Sequence, residues 1–255
     1  MGSIRLIVSD FDGTLVPYGE TELSAGTRGL LEELTEAGVT LAIASGRTYG
    51  ELRERFGPMA EGLYFLCCDG AYTRKGARGL YERQIGREDL GLFFRHLRER
   101  EDFSFVLHGA ERNYGAGALP REAAVFTPVA IGDAGALREK IYKVTAYGGS
   151  LRLPARCGLR THWDGGPRSM AQYVNRFANK GAALSDLLTR LMLTGFDTAC
   201  IGDGGNDLPL MRGVKRSFCV GTRDPRLAEV CTDRVATADE ALRRLLAESK
   251  SNFFS

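Results

Sequence analysis

Short apolar segments alternate with helical patterns over the first part of the chain. An apolar stripe at helical spacing runs from the predicted N-cap Ser24 to Gly38, and a second helix is predicted near residues 48–56. Three runs that are apolar at successive positions predict strands, at residues 4–9, 39–44 and 63–67. Such strands, alternating with helices, indicate a parallel sheet that is buried on both faces.

The pattern changes after residue 70. Short apolar runs then lie between glycine-rich turns, and helices are predicted at residues 87–100 and 133–140, which together form an α+β pattern. These apolar runs occupy residues 103–109, 123–131 and 142–148. From residue 180 the first pattern returns, with helices and strands in alternation at residues 180–193, 198–201, 208–211 and 217–220, and helical stretches on both sides of 234–236.

We therefore predict an α/β protein with a doubly wound, mostly parallel sheet, Rossmann-like in its alternation of strands and helices. Residues 1–72 and 176–255 are predicted to form this core. Residues 73–175 are predicted to form a smaller α+β cap domain inserted into it.

Composition narrows the class of protein. The 255 residues carry 34 Lys+Arg against 32 Asp+Glu, and 44% are hydrophobic, which is typical of a globular protein and excludes intrinsic disorder. The net charge of +2 gives no reason to expect a nucleic acid or a membrane surface as partner. Six cysteines without a C-x-x-C pair favour reduced thiols, and no signal peptide is visible, so a cytoplasmic protein is expected.

The first candidate site follows the first predicted strand, where residues 10–14 read DFDGT. Ligands of open α/β sheets bind outside the carboxyl ends of the strands, so Asp10 and Asp12 face the expected crevice. Two carboxylates so close repel each other, and a site that keeps both ionised normally contains a cation. Asp and Gly are also common turn residues, so the segment alone could be a turn.

Three further segments place polar or charged side chains after a predicted strand or at the start of a predicted helix. Ser45-Gly46-Arg47 ends the second strand, where a hydroxyl and backbone N–H groups can bind an anion, and Lys180 opens a helix as a phosphate-binding cation could. Residues 202–207, GDGGND, follow another strand and add Asp203 and Asp207. Taken singly, these segments can also be explained as a strand-to-helix turn, a surface lysine and a capped loop. Their conjunction favours one common crevice.

Together these segments resemble the four motifs of the haloacid dehalogenase-like phosphatases. The inserted domain, placed after the third strand, resembles the cap of their type IIB, Cof-like branch in position, size and texture. One departure lies at Asp69, in the segment Cys68-Asp69-Gly70-Ala71, where that branch often has Asn-Gly-Ala. A hinge turn is the favoured interpretation of Asp69.

The resemblance implies that Asp10 is a nucleophile that attacks phosphorus and forms an aspartyl-phosphate. It implies a Mg²⁺ ion held by the Asp10 carboxylate, the Asp12 backbone carbonyl and Asp203, with Asp207 ligating directly or through water. Asp12 would protonate the leaving alcohol and then take a proton from the hydrolytic water.

The same resemblance implies that Ser45, Gly46 and Lys180 hold the phosphoryl oxygens. Asn206 would bind substrate or position Asp207. Arg47 is open between a substrate contact and a structural ion pair.

The cap domain is expected to carry substrate specificity, because it can cover the crevice and exclude water. Trp163 and Arg168 are the cap residues favoured for substrate contact, in or beside a predicted loop at residues 162–166. Arg112, Lys143 and His162 are further candidates. Each of these side chains is also explained as a surface charge or a packed residue.

We therefore predict a Mg²⁺-dependent phosphomonoester hydrolase that acts on a small phosphorylated metabolite, with sugar phosphates first among the candidates. A phosphosugar mutase is the first alternative, since it shares the core and the cap type. A non-catalytic phosphate-sensing module is the second, and the acid at position 12 argues against it. A receiver-type domain is disfavoured by the length and the D-x-D spacing. No pattern in the sequence indicates an oligomeric state.

Overall fold

The computed structural model of the protein describes residues 4–98, 104–119, 127–128, 137–164, 170–221 and 224–252. The chain divides into two compact units. The core unit comprises Met1–Arg47, Leu52–Tyr81 and Asn179–Ser255, and the cap unit comprises Thr48–Glu51 and Glu82–Ala178.

The strands of the described residues, in chain order, are β1 (Leu6–Ser9), β2 (Thr40–Ala44), β3 (Tyr64–Cys67), β4 (Tyr72–Lys75), β5 (Arg78–Glu82), β6 (Ser104–His108), β7 (Asn113–Ala116), β8 (Thr127–Pro128), β9 (Lys143–Tyr147), β10 (Leu159–Asp164), β11 (Ala171–Asn175), β12 (Thr198–Gly202), β13 (Arg216–Val220) and β14 (Asp233–Val235). The α-helices are α1 (Ala25–Glu36), α2 (Tyr49–Phe56), α3 (Arg87–Leu97), α4 (Lys180–Leu191), α5 (Leu208–Met211), α6 (Pro225–Val230) and α7 (Ala238–Asn252).

The core unit is built on one sheet with the strand order β14-β13-β12-β1-β2-β3-β4-β5. The pairs from β14 through β3 are parallel, and β4 runs antiparallel to β3. The four residues of the central strand β1 are all buried, as expected for a strand covered on both faces. The carboxyl ends of β1, β2 and β12 therefore meet at one edge of the sheet.

Helix α4 is anchored at its first turn and along one face. Its N-cap Asn179 accepts a hydrogen bond from the Ala182 N–H, which satisfies one of the unpaired donors of the first turn. Leu184 and Leu187 are buried in the apolar cluster of the core unit. This packing sets the position of Lys180, the first residue of the helix.

The cap unit has its own sheet, with the order β10-β11-β9-β6-β7-β8. Its pairs are antiparallel except for β7 and β8, which are parallel. Helix α3 contributes Leu90, Phe93 and Leu97 to an apolar cluster that also contains Phe105 and Tyr173 of the sheet. The predicted class, an α/β protein with a mostly parallel sheet and a separate cap, is confirmed.

The two units meet along the chain at bounds other than those predicted. The chain leaves the core unit after Tyr81 rather than after residue 72, because β4 and β5 extend the core sheet beyond β3. It returns at Asn179 rather than at residue 176. The short segment Thr48–Glu51 also groups with the cap unit, where the Gly50 N–H donates to the Ala110 carbonyl at 3.2 Å.

Two local predictions within the cap disagree with the structure over the residues that it describes. Of the helix predicted at 133–140, residues 133–136 lie outside the described residues, and residues 137–140 are not helical. There the Lys140 side chain reaches Glu82, and the chain leads into β9. The loop predicted from residue 162 onwards is strand β10 as far as Asp164, because this segment pairs with β11 through a register shift after Thr161. Residues 165–169 lie outside the described residues.

None of the described helices has both the length and the apolar character needed to cross a bilayer. All six cysteines are free thiols, five of them buried and Cys231 half-buried.

Helix α4 ends with a residue in a conformation that suits glycine, and this generates a stability prediction. Met192 has φ 52° and ψ 42° and is 89% exposed. We expect Met192→Gly to raise the free energy of unfolding by about 1 kcal/mol, because the left-handed conformation costs a residue with a Cβ roughly that amount. Urea denaturation measures the change. The matched control Met192→Ala removes the same exposed side chain but keeps the Cβ, and an equal gain in both variants would contradict the explanation.

Candidate active site

Asp10 lies at the point where β1 ends. Its backbone N–H donates to the Ile201 carbonyl at 2.9 Å, which ties the residue to the neighbouring strand β12. Its carboxylate is buried, and Oδ1 accepts a hydrogen bond from Lys180 Nζ at 2.9 Å. Burial first, and then the charge of Asp207, raise the pKa of Asp10 well above its ordinary value. A lone cation thus only partly offsets the cost of ionising this carboxyl group.

Lys180 is the cation at the centre of the site, and its side chain is fully buried. Besides the contact with Asp10, Nζ donates to Asp207 Oδ1 at 2.6 Å. Burial alone would lower the pKa of Lys180, but the nearby carboxylates of Asp10 and Asp207 raise it above its ordinary value. The ammonium group therefore stays charged.

The loop after β12 supplies the other two acids. Asp207 is completely buried, and its Oδ2 accepts hydrogen bonds from the backbone N–H groups of Asp203 and Gly204, at 3.2 and 3.1 Å. Gly202 lets this loop close, since a Cβ on it would lie 2.6 Å from Asp207 Oδ2. The folded loop thus holds Asp207 close to Asp203 and beside Lys180.

Asp203 is held by two hydroxyl groups from the loop after β1. Thr14 Oγ1 donates to its Oδ1 at 2.9 Å, and the Tyr18 hydroxyl donates to its Oδ2 at 2.8 Å. Gly13, at φ +83°, permits this approach, because a Cβ there would lie 2.3 Å from the Tyr18 ring. Tyr18 was not anticipated from the sequence, and no motif position marks it.

The three buried acids form one cluster. Asp10, Asp203 and Asp207 each offer a carboxylate oxygen, and these oxygens lie within 4.8 Å of one another. Burial raises the pKa of Asp203 to about 6, with a further contribution from Asp207. Three carboxylates around the ammonium of Lys180 leave an excess of negative charge when all are ionised. These oxygens could therefore hold a cation.

Asp12 lies outside this cluster and is paired with Arg47. The guanidinium donates through Nε to Oδ2 at 2.9 Å and through the terminal nitrogen Nη2 to Oδ1 at 2.7 Å, an arrangement in which two parallel bonds hold the carboxylate. The Asp12 side chain remains 38% exposed. The structure thus contains an Arg47 ion pair, and a contact of Arg47 with substrate stays a prediction.

The Ser45 loop lies between these groups and the end of β3. Ser45 is fully buried, and its Oγ accepts the Arg47 N–H at 3.2 Å. Its backbone carbonyl accepts the Asp69 N–H at 2.9 Å. The next residue, Gly46, is half-buried. The loop is thus held by the backbone of the turn that follows β3.

The turn after β3 also brings Asp69 next to Asn206 of the site, which the interpretation of Asp69 as a hinge residue did not include. Asp69 is a turn residue, with φ 57°, but it is also buried, and its Oδ1 accepts a hydrogen bond from Asn206 Nδ2 at 3.1 Å. The pairing could not be expected from spacing, since 137 residues separate the two partners.

The candidates from the cap belong to the other unit. Lys143 is buried on β9, opposite His108 of β6, and Arg112 is exposed. His162 lies on β10, where its ring contacts Arg160. The side chain of Trp163 and the whole of Arg168 lie outside the described residues. Their roles stay predictions.

Comparisons with known proteins give the family. A family model described as haloacid dehalogenase-like hydrolase matches residues 7–145 and 151–241, well over half of the chain. Among curated proteins, 5-amino-6-(5-phospho-D-ribitylamino)uracil phosphatase YbjI of Escherichia coli (strain K12) is 21% identical over 112 residues, 44% of this chain and 41% of that protein. The match therefore spans less than half of that relative's length.

Solved structures with the same fold cover nearly the whole chain. SMU.1108c from Streptococcus mutans UA159 has a TM-score of 0.79 at 21% identity, covering 99% of this chain and 100% of its own. BT1666 from Bacteroides thetaiotaomicron, studied among the phosphatases of the HAD superfamily, has 0.78 at 18%, covering 95% of each chain. The subclass IIB sugar phosphatase BT4131 has 0.73 at 17%, covering 98% of each. At these identities the likeness shows the fold.

The central position of Lys180 generates a stability prediction. We expect Lys180→Met to lower the free energy of unfolding by about 3–5 kcal/mol, because it leaves buried carboxylates without their cation. Urea denaturation in buffer without divalent cations measures the loss. The control Lys250→Met removes an exposed lysine paired with an exposed glutamate, which contributes little. Equal losses in the two variants would show that the buried pairs do not stabilise the fold.

Proposed function

Since this chain belongs to the haloacid dehalogenase-like hydrolases, we propose that it is a phosphatase that hydrolyses phosphomonoesters of small metabolites through an aspartyl-phosphate. The observation that carries this proposal is the convergence, within the core unit, of Asp10 with Lys180 and the acidic pair Asp203 and Asp207. A buried nucleophile beside one ammonium and two more acids suits attack on a phosphate group. Sugar phosphates are the favoured substrates, and the sugar phosphatase among the structural relatives supports that choice.

The acidic cluster fits Mg²⁺. Its donors are carboxylate oxygens, which this hard cation prefers, and burial raises the pKa of both Asp10 and Asp203. Asp10, the Asp12 carbonyl and Asp203 would hold the ion, with Asp207 ligating directly or through water. When bound, Mg²⁺ would screen the negative charge of both the nucleophile and the phosphate dianion.

In the first step, Asp10 is the nucleophile. One of its carboxylate oxygens attacks phosphorus, an O–P bond forms, and the bond from phosphorus to the leaving oxygen breaks. Lys180 and the Ser45 loop, with the Gly46 N–H and Asn206, would bind the phosphoryl oxygens and stabilise the charge of the transition state. Lys180 suits this role because the surrounding carboxylates keep it protonated.

Asp12 is the proton-transfer residue of this proposal. It would give a proton to the leaving alkoxide in the first step and take one from the water that cleaves the aspartyl-phosphate, releasing inorganic phosphate. Its place outside the buried cluster supports the role, since its side chain is partly exposed and can be reached by an alcohol or by water. Arg47 would orient the carboxylate between these two steps.

Replacing the nucleophile tests the proposal. We expect Asp10→Asn to reduce hydrolysis of p-nitrophenyl phosphate in Mg²⁺ by at least about 10³-fold, as removal of a covalent nucleophile generally does. Colorimetric release of nitrophenol measures turnover, and phosphate release from a panel of sugar phosphates identifies the natural class. Asp186→Asn, a substitution at a half-buried aspartate on α4 whose partner is Arg190, serves as the matched control. Near-normal turnover by Asp10→Asn would refute the nucleophile assignment.

Replacing the proton donor separates its role from that of the nucleophile. We expect Asp12→Asn to slow alkyl phosphates by about 10²–10⁴-fold but aryl phosphates much less in the step that forms the intermediate. The physical reason is that a phenolate is stable enough to leave unprotonated, whereas an alkoxide must receive a proton as it leaves. Single-turnover rates with one alkyl and one aryl substrate provide the measurement. Losses of the same size for both substrates would argue against a general acid.

A further inference from the structure

The turn between β3 and β4 has an unusual backbone. Cys68, Asp69 and Gly70 are consecutive residues with positive φ, at 48°, 57° and 84°. Residues other than glycine pay about 1–3 kcal/mol each for such a conformation, and it persists only where surrounding contacts enforce it. Cys68 and Asp69 are therefore held there by their neighbours.

The contacts that hold this turn come from three segments of the candidate site. The N–H groups of Cys68 and Asp69 donate to the carbonyls of Arg47 and Ser45, each at 2.9 Å. Gly70 lies against the backbone that opens α4, since a Cβ on it would be 2.3 Å from the Asn179 carbonyl oxygen and 2.7 Å from the Lys180 nitrogen. The turn thus touches the Ser45 loop and the helix that carries Lys180.

The third contact is made by the Asp69 side chain. Asp69 is only 2% exposed, and its carboxylate accepts the amide of Asn206. A buried carboxylate without hydrogen bonds is costly, so this pairing favours one orientation of the Asn206 side chain. Asn206 has two amide hydrogens. One is donated to Asp69, and the amide can donate the other to a second acceptor.

We propose that Asp69 is a positioning residue, which fixes the Asn206 amide so that its second N–H binds an oxygen of the transferred phosphoryl group. The proposal rests on the proposed phosphatase function and deepens it. Asp69 makes no contact with the substrate and acts through Asn206. Its negative charge also contributes to keeping Lys180 protonated.

A double-mutant cycle tests the proposal. Asp69→Ala, Asn206→Ala and the double variant are compared with the unaltered protein in the KM for p-nitrophenyl phosphate and in the dissociation constant of inorganic phosphate, measured by calorimetry. Asp69→Ala should raise both the KM and the dissociation constant by about tenfold, which is the effect of losing one hydrogen bond to a charged group. The change in kcat should be much smaller. Since Asp69 acts through Asn206, the same substitution in the Asn206→Ala background should change neither constant more than about twofold.

Two further variants separate positioning from folding and from charge. Asp69→Asn keeps an acceptor oxygen for Asn206 and removes the charge, so it should restore phosphate binding to within about threefold of the unaltered protein. Asp186→Ala removes a half-buried carboxylate on α4, away from the turn, and is the control for loss of charge and of stability. Melting temperatures are recorded for all variants.

Additive effects of the two alanine substitutions, or an Asp69→Asn variant as impaired as Asp69→Ala, would overturn the proposal and leave the phosphatase assignment intact. Failure of the unaltered protein to release phosphate from any monoester would instead overturn the assignment. Calorimetry still decides the positioning role in that case. Phosphate binding in which the Asp69→Ala effect disappears in the Asn206→Ala background supports the role. Absence of phosphate binding refutes it.

Discussion

The site depends on one constraint, which is the excess of negative charge in its buried cluster of carboxylates. Asp10, Asp203 and Asp207 bring carboxylate oxygens within 4.8 Å of one another, and the Lys180 ammonium binds two of these three acids. Burial makes carboxylates costly to ionise, as the raised pKa values of Asp10 and Asp203 record. A fold that keeps such a cluster must supply compensation, and the hydroxyl and N–H donors around it do part of this.

The backbone of the core unit makes that compensation possible. Parallel strands end at one edge, so loops far apart in the chain arrive there together. Close approach then requires particular residues. Gly13 leaves room for the Tyr18 ring, Gly202 leaves room for Asp207, and the left-handed turn at Cys68 and Asp69 brings β3 against two other loops. Strain in one turn is offset by the hydrogen bonds that it allows in its neighbours.

The two acids of the first loop have different surroundings, although a single residue separates them. Asp10 is buried with Lys180, while Asp12 is half-buried and held by Arg47. Under the proposed function, Asp10 would stay close to the phosphate, and Asp12 would exchange protons with an alcohol or with water. This division of labour between neighbouring carboxyl groups would follow from burial and partners rather than from residue type.

Sequence alone determined the buried parallel strands of the core unit and the types of chemical group near their ends, because both depend on residues close together in the chain. Apolar runs predicted β1, β2, β3, β12 and β13. The conjunction of several segments, together with the family resemblance, made Asp10, Lys180 and Asp203 candidates. Tertiary structure alone decided which side chains meet. Three examples are the hydrogen bond of Tyr18 with Asp203, that of Asp69 with Asn206, and the extension of the core sheet by β4 and β5. No hydrophobic pattern in the sequence relates the segments that meet in these contacts. Such contacts depend on how loops close and strands register in three dimensions, so no local propensity records them.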